Sequence, residues 1–260
     1  MAPNIEQALS LVDEGHSRDP RKTSSGEPYE LHYAQRMTHY LDLHTSNASP
    51  LLQVAVRAQH FRRWEVPRDS YPKTKPGYFA WRTYLKKRQA EQVKEICLTC
   101  GFNEEEAGRV GSLIAKEDLK KGEGKGDAEV QILEDCAALV FLVSTEIRCS
   151  HTPQIHTIHL TQLGFSKIWI ETPTALELLS PFPFRSMCTN STVHFQDDQF
   201  DDYEVKWAQE HGSQEEADEK MISILRKTWV KMGKRGQDLA LQLNLSEKAK
   251  ELVGKALAEQ

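Results

Sequence analysis

The side chains best suited to chemistry crowd into residues 56–88, VRAQHFRRWEVPRDSYPKTKPGYFAWRTYLKKR. Ten basic residues stand there against two acids, Glu65 and Asp69, so a chain of net charge −5 carries a local charge of +8. Guanidinium forks bind phosphate or carboxylate bidentately, and aromatic rings stack on bases or guanidinium groups. The stretch therefore predicts an anion site built from Arg57, Arg62, Arg63, Arg68, Arg82 and Lys86, with Trp64 and Trp81 as stacking platforms. Two other readings stay open. The charges can solvate an outer face over an aromatic core, or they can be sealed by the acidic run 197–219.

Within this stretch His60 is the titratable candidate. Surrounding arginines disfavour its protonated form and leave a neutral imidazole suited to general base work or metal binding. A helix through the segment would put Arg57, His60 and Trp64 on one face, with Arg68 near its end; Arg82 and Lys86 are i, i+4 on the next helix. Glu134 and Asp135 are adjacent acids in the apolar run VQILEDCAALVFL. At least one must approach the buried side, where it needs a basic residue of the cleft, a metal ion or the N-terminus of another helix. The catalytic candidates are thus His60, Glu134 and Asp135, and a divalent metal ion would be held by His60 and Asp135. Lys116 and Glu117 are candidates for the same cleft. Cys97 and Cys100 form a lone C-x-x-C, read as small apolar packing, and GEGKG at 122–126 lacks the order of a phosphate loop.

The elements that must position these groups read as helices. Apolar residues recur at helical spacing in 4–14, from Pro28 to Leu41, from Ser49-Pro50 towards Pro67, in 79–100 with Gly101 as a left-handed cap, and after Asn103, whose Glu106 completes a capping box. Helix returns in 128–142, from Ser213 with Glu216 behind it, and in 246–257. No strand-type alternation competes outside one region. The expected fold is all-α: a compact single-domain helical bundle of residues 1–142 plus 197–245, with 246–260 as a C-terminal helix.

The exception is 143–196. Only six of its residues are charged, against 27% for the chain, and it holds four of the ten histidines, including His151, His156 and His159, to which no function is assigned. Its edges are compatible with splice signals: Val143-Ser144 with GTAAGT and Phe195-Gln196 with TTTCAG, with Thr189-Asn190 as ACTAAC between them. The segment reads as an unstructured product of a retained intron, and a genuine loop insertion is the alternative. Elsewhere the 260 residues carry no apolar run long enough for a bilayer, no apolar signal core and no DNA-binding motif. Five cysteines without framework spacing predict a reduced, cytoplasmic protein.

The segments RAQHFRRWEVPRDSYP, GYFAWRTYLKKRQAEQV, LEDCAALVFL and MISILRKTWVKM resemble a family known as domain of unknown function 4202 (DUF4202), with members in bacteria and fungi. The resemblance implies one helical domain, and a histidine is expected in bacterial-type members where this chain has Gln89. The pattern is also distantly similar to helical histidine-aspartate phosphohydrolases. That likeness implies His60 as central ligand, Asp135 as late aspartate and His32 as first ligand, although Phe61 stands where the family doublet has aspartate. A glutamyl-tRNA synthetase label borne by some members is rejected: KMGKR at 231–235 resembles a synthetase loop, but no nucleotide-binding strand–helix unit precedes it.

Two functions follow as expectations. One is a hydrolase-like enzyme acting on a small phosphorylated or nucleotide-like anion. The other is a non-catalytic module that binds a nucleotide or RNA on the basic-aromatic face. Substrate, metal and oligomeric state are not legible.

Overall fold

The computed structural model describes residues 3–119, 126–149 and 213–258. Much of 143–196, the GEGKG loop before Gly126, and 197–212 of the acidic run therefore lie outside the described residues. Among those described, every regular element is helical: α1 (Ile5–Ser17), α2 (Tyr29–His44), α3 (Pro50–Arg57), α4 (Lys75–Thr99), α5 (Glu104–Ala115), α6 (Ala128–Cys149), α7 (Gln214–Lys231), α8 (Lys234–Ala240) and α9 (Glu247–Ala258).

Local sequence starts most of them. The side chains of Asn4, Ser49, Thr74, Asn103 and Ser213 accept from the N–H three residues on, and Glu106 reciprocates to the Asn103 N–H. Each bond satisfies a donor that a helix start leaves open. Gly101, at φ 86°, follows α4 as its spacing predicts.

These helices enclose one core, in which Val12, Met37, Leu52, Val93, Leu133 and Ile224 are fully shielded. Arg109 joins α5 to α6 by pairing with Asp127 and with Glu129 at 2.6 Å. A smaller cluster of Tyr78, Trp81 and Leu85 lies on α4 against Val66 and Tyr71.

Three helical boundaries differ from the sequence reading. α1 runs through Gly15 to Ser17 because the Phe61 ring seats there; a Cβ on Gly15 would lie 2.3 Å from it. α3 stops at Arg57, ten residues before Pro67. His60 (φ 64°) and Arg62 (φ 50°) then turn left-handed, which drives Phe61 into the core and Arg63 beneath Trp81. Arg57, His60 and Trp64 consequently share no helical face. KMGKR at 231–235, likened in sequence to a synthetase loop, is the junction that ends α7 and starts α8.

Candidate anion cleft

Three segments converge on one narrow cleft. The left-handed turn after α3 contributes Gln59, His60 and Arg63; α4 contributes Arg82, Leu85, Lys86 and Gln89; the end of α5 contributes Ile114 and Lys116. About 20 Å³ is open to the centre of a water-sized sphere, room for one or two waters between the side chains.

On α4, Arg82, Lys86 and Gln89 follow the i, i+4, i+7 rule and share a face. Lys116 reaches the cleft from the left-handed C-cap of α5 (φ 54°). Among the described residues the non-glycine positions with positive φ are His60, Arg62, Lys116 and Asp118, all in the two turns that bound the cleft. Backbone of this kind carries local strain and concentrates at functional sites.

The electrostatics are those of crowded cations. Burial, then the charges of Arg63, Lys116 and Arg82, holds the His60 imidazole well below its ordinary pKa, so it is neutral at pH 7. Its ring stacks on Tyr33 at 4.3 Å. Burial and the neighbouring Arg82 and Lys116 push the Lys86 ammonium down to about 8. Arg63 is lowered to about 10, mainly by burial and then by Arg82, and stays charged. Among the described residues two carboxylates bear on this group, Glu30 on Arg63 and Glu134 on Lys116. Glu134 accepts from Lys116 Nζ at 2.6 Å; burial alone would raise its pKa, but Lys116, then Lys231 and Arg82, outweigh that and hold it at about 2.

Gln89 is 6% exposed, and its Nε2 has no hydrogen-bond partner among the described residues. A buried donor left in this state costs about 1–3 kcal/mol.

Only some of the expected residues meet here. His60, Arg63, Arg82 and Lys86 line the cleft, and Glu134 reaches it through Lys116. Arg57 is held elsewhere by Asp13 at 2.6 and 2.8 Å and donates to Thr38. Arg62 and Arg88 share Glu65, which pins the turn to α4. Arg68 donates to the carbonyls of Tyr71 and Pro72. Trp81 is 1% exposed, donates to the Val66 carbonyl and lies between Arg63 and Arg68, so it presents no face to a base. Trp64 is half-buried, and its backbone N–H donates to Glu30. Of the acids within 213–219, Glu216 pairs with Lys220 and Asp218 with Lys248.

Asp135 meets a different fate from Glu134. It accepts from His44 Nε2 at 2.9 Å, from Gly233 N–H at 2.8 Å and from Gln131 at 2.9 Å. It thus serves a helix start, one of the three partners the sequence allowed. His32 pairs with Glu27. Among the described residues no group of three or more His, Cys, Asp or Glu side chains could hold a metal ion. Asp135, expected to join His60 in a metal site, is instead engaged by His44, Gln131 and the Gly233 N–H. Cys97 and Cys100 are buried free thiols, and burial pushes Cys97 up to about 12, as small packing residues require.

Sequence reasoning missed Gln59, and it named Gln89 only as a departure from a histidine expected in relatives, not as part of this cleft. Continuing the Arg82–Lys86 spacing by one more turn step would have found Gln89.

The family model described as Domain of unknown function (DUF4202) matches residues 6–152 and 190–253. The chain belongs to this family. Every segment that lines the cleft falls inside the DUF4202 match, whereas 153–189 falls outside it, a narrower break than the expected 143–196. No curated protein and no solved structure matches the chain. Among the described residues no helix is long and apolar enough to cross a membrane.

Proposed function

We propose that this DUF4202 chain is a cytoplasmic, hydrolase-like enzyme that binds a small phosphorylated or nucleotide-like anion in the cleft. The observation that carries the reading is a neutral His60 set among Arg63, Arg82, Lys86 and Lys116. Cations so placed offset charge that develops on a phosphoryl oxygen. The neutral imidazole has a lone pair to accept a proton from an attacking water. Glu134 holds Lys116 in place from behind. The buried free thiols Cys97, Cys100 and Cys136 support a reducing compartment. Burial of Trp81 weighs against the RNA-binding alternative, which needs its face.

The test is phosphate release from a set of nucleotides and phosphomonoesters, alongside thermal-shift titrations of the same compounds. Anything that binds the native state raises its melting temperature by mass action. His60→Asn should retain the thermal shift and lose turnover. A folded chain that shifts with none of these compounds and releases no phosphate would sink the reading.

We further propose that 143–196 is a translated retained intron. The family match supports this by breaking inside it. Genomic and transcript sequence decides: codons other than the splice-compatible ones at its edges would remove the basis.

A further inference from the structure

We propose that His16 and Glu30 are positioning residues: they share one buried proton, and with it they brace the turn that carries His60 to the cleft. The place of His60 in a reaction rests on the cleft reading above; the shared proton does not.

Hydrogen-bond chemistry puts the proton there. Both side chains are shielded, His16 at 0% and Glu30 at 1% exposed. His16 Nε2 lies 3.0 Å from the Arg57 carbonyl oxygen, which can only accept, so Nε2 carries a hydrogen. Nδ1 then faces Glu30 Oε2 at 3.5 Å, and neither atom has another partner among the described residues. A bare nitrogen lone pair set against an ionised oxygen, both cut off from water, is unfavourable. One proton between them removes the conflict. On Nδ1 it makes an imidazolium–carboxylate pair, and on Oε2 it makes a carboxylic acid that donates to the ring. The other groups nearby are already engaged. Arg21 donates to Oε1 at 3.1 Å, and Asp19 accepts from the Arg21 guanidinium and from the N–H groups of Arg21 and Glu30.

The pair grips the turn at both flanks. His16 donates to the carbonyl of Arg57, the last residue of α3, and Glu30 Oε1 accepts from the Trp64 N–H at 2.9 Å. Residues 58–63 lie between, with the left-handed positions His60 and Arg62 among them. The Phe61 ring meets His16 edge-on at 5.5 Å, so the turn seats on the same imidazole. His60, one residue before that seat, stacks on Tyr33. The contacts from α1 and α2 act as one brace while the proton joins them; without it the two side chains repel and each flank is held alone.

The test is NMR of the full chain at pH 7, labelled with 15N at histidine. Signals of His16 are identified by their loss in His16→Asn, and those of His60 by their loss in His60→Asn. His16 Nε2 should be protonated, and Nδ1 either protonated or hydrogen-bonded to a proton on Glu30. A free lone pair on Nδ1, or a bare Nε2, overturns the shared proton. Glu30→Gln puts a fixed N–H where the proton lay and leaves Arg21 on Asp19. It should keep the ring-current shift that Tyr33 imposes on His60, with His16 a neutral ring protonated at Nε2. Glu30→Met removes both the proton and the acceptor of the Trp64 N–H, and should lose that shift and melt several degrees lower. His16→Asn, which gives up the Arg57 carbonyl, should lose the shift too and serves if the methionine variant does not fold. Loss of the shift in Glu30→Gln as well overturns the proton as the joining element, and its survival in every variant overturns the positioning role. Phosphate release by the parent chain is read separately: its absence sinks the cleft reading and leaves the brace standing.

Discussion

His44 at the end of α2 and Asp135 within α6 are 91 residues apart in sequence and meet through a 2.9 Å hydrogen bond from Nε2 to Oδ2. The other Asp135 oxygen accepts from the Gly233 N–H at the start of α8, while Arg235 donates to the Leu43 carbonyl. Three helices are thus tied by one carboxylate and one guanidinium. Gly236 completes the joint: a Cβ there would lie 2.5 Å from Asp135 Cγ. Gly236→Ala should cost about 1–3 kcal/mol by overpacking, a fall of several degrees in Tm. Added to Asp135→Ala it should cost less, because Cγ and Oδ2 have gone and the contact with the Cβ of residue 135 at 2.9 Å is left; equal losses in both backgrounds, by thermal melting, would count against the contact.

Glu134 governs behaviour in acid. Its folded carboxyl is held at about 2, below its ordinary value of 4.5, so its contribution is full above pH 4.5 and is lost as pH falls towards 2. Glu134→Gln should reduce stability by roughly 2 kcal/mol at pH 7, because it leaves the half-buried Lys116 without its partner. That difference should shrink as pH drops from 4.5 to 2. A difference independent of pH, measured by denaturant melts, would disprove the pairing.

Lys86 governs the alkaline side. It titrates near 8 when the cleft is empty, and a bound anion must raise that value. Affinity should therefore be level below pH 8 and fall by up to about tenfold per pH unit above it. Sulfate is the suitable probe, since its own charge is constant there. Lys86→Met should bind sulfate weakly with a flat profile over this range, and melt slightly higher than the parent because one crowded cation has gone.

Trp81 is structural in its effect. Its ring is shielded, carries Arg63 at 4.6 Å and donates to the Val66 carbonyl. Trp81→Ala should lose about 3–5 kcal/mol and anion binding with it, because Arg63 loses its support. Near-parental melting would show that the ring is solvated instead.

For residues 143–196, joining Leu142 directly to Asp197 should raise Tm and soluble yield relative to the full chain. Equal melting temperatures for the two would count against the retained-intron reading.

The helices were legible because their signals are local: Asn103 and Glu106, or Ser213 and Glu216, stand three residues apart and need no knowledge of the rest of the chain. The end of α3 was not legible. Nothing near Arg57 stops a helix; the stop comes from Phe61 seating against Gly15 and His16 from α1, and from Arg63 lodging under Trp81. The start of α8 was hidden for the same reason, since Asp135 is 98 residues from the N–H it accepts. In the basic stretch the charges were visible but their partners were not. Arg57 finds Asp13 44 residues away, which removes it from any common site with His60. Lys116 was visible only as a lesser candidate, because its approach depends on a left-handed turn at the end of α5.

The same left-handed turns bear on how the chain would answer selection. At His60, Arg62 and Lys116 a glycine or asparagine would relax the backbone at once. At Arg62 and Lys116 that relief is set against the ion pairs with Glu65 and Glu134, so a library selected for heat resistance alone should enrich the replacement at His60, which strips the imidazole from the cleft. Thermostability and the chemistry proposed for the cleft are opposed at this one codon.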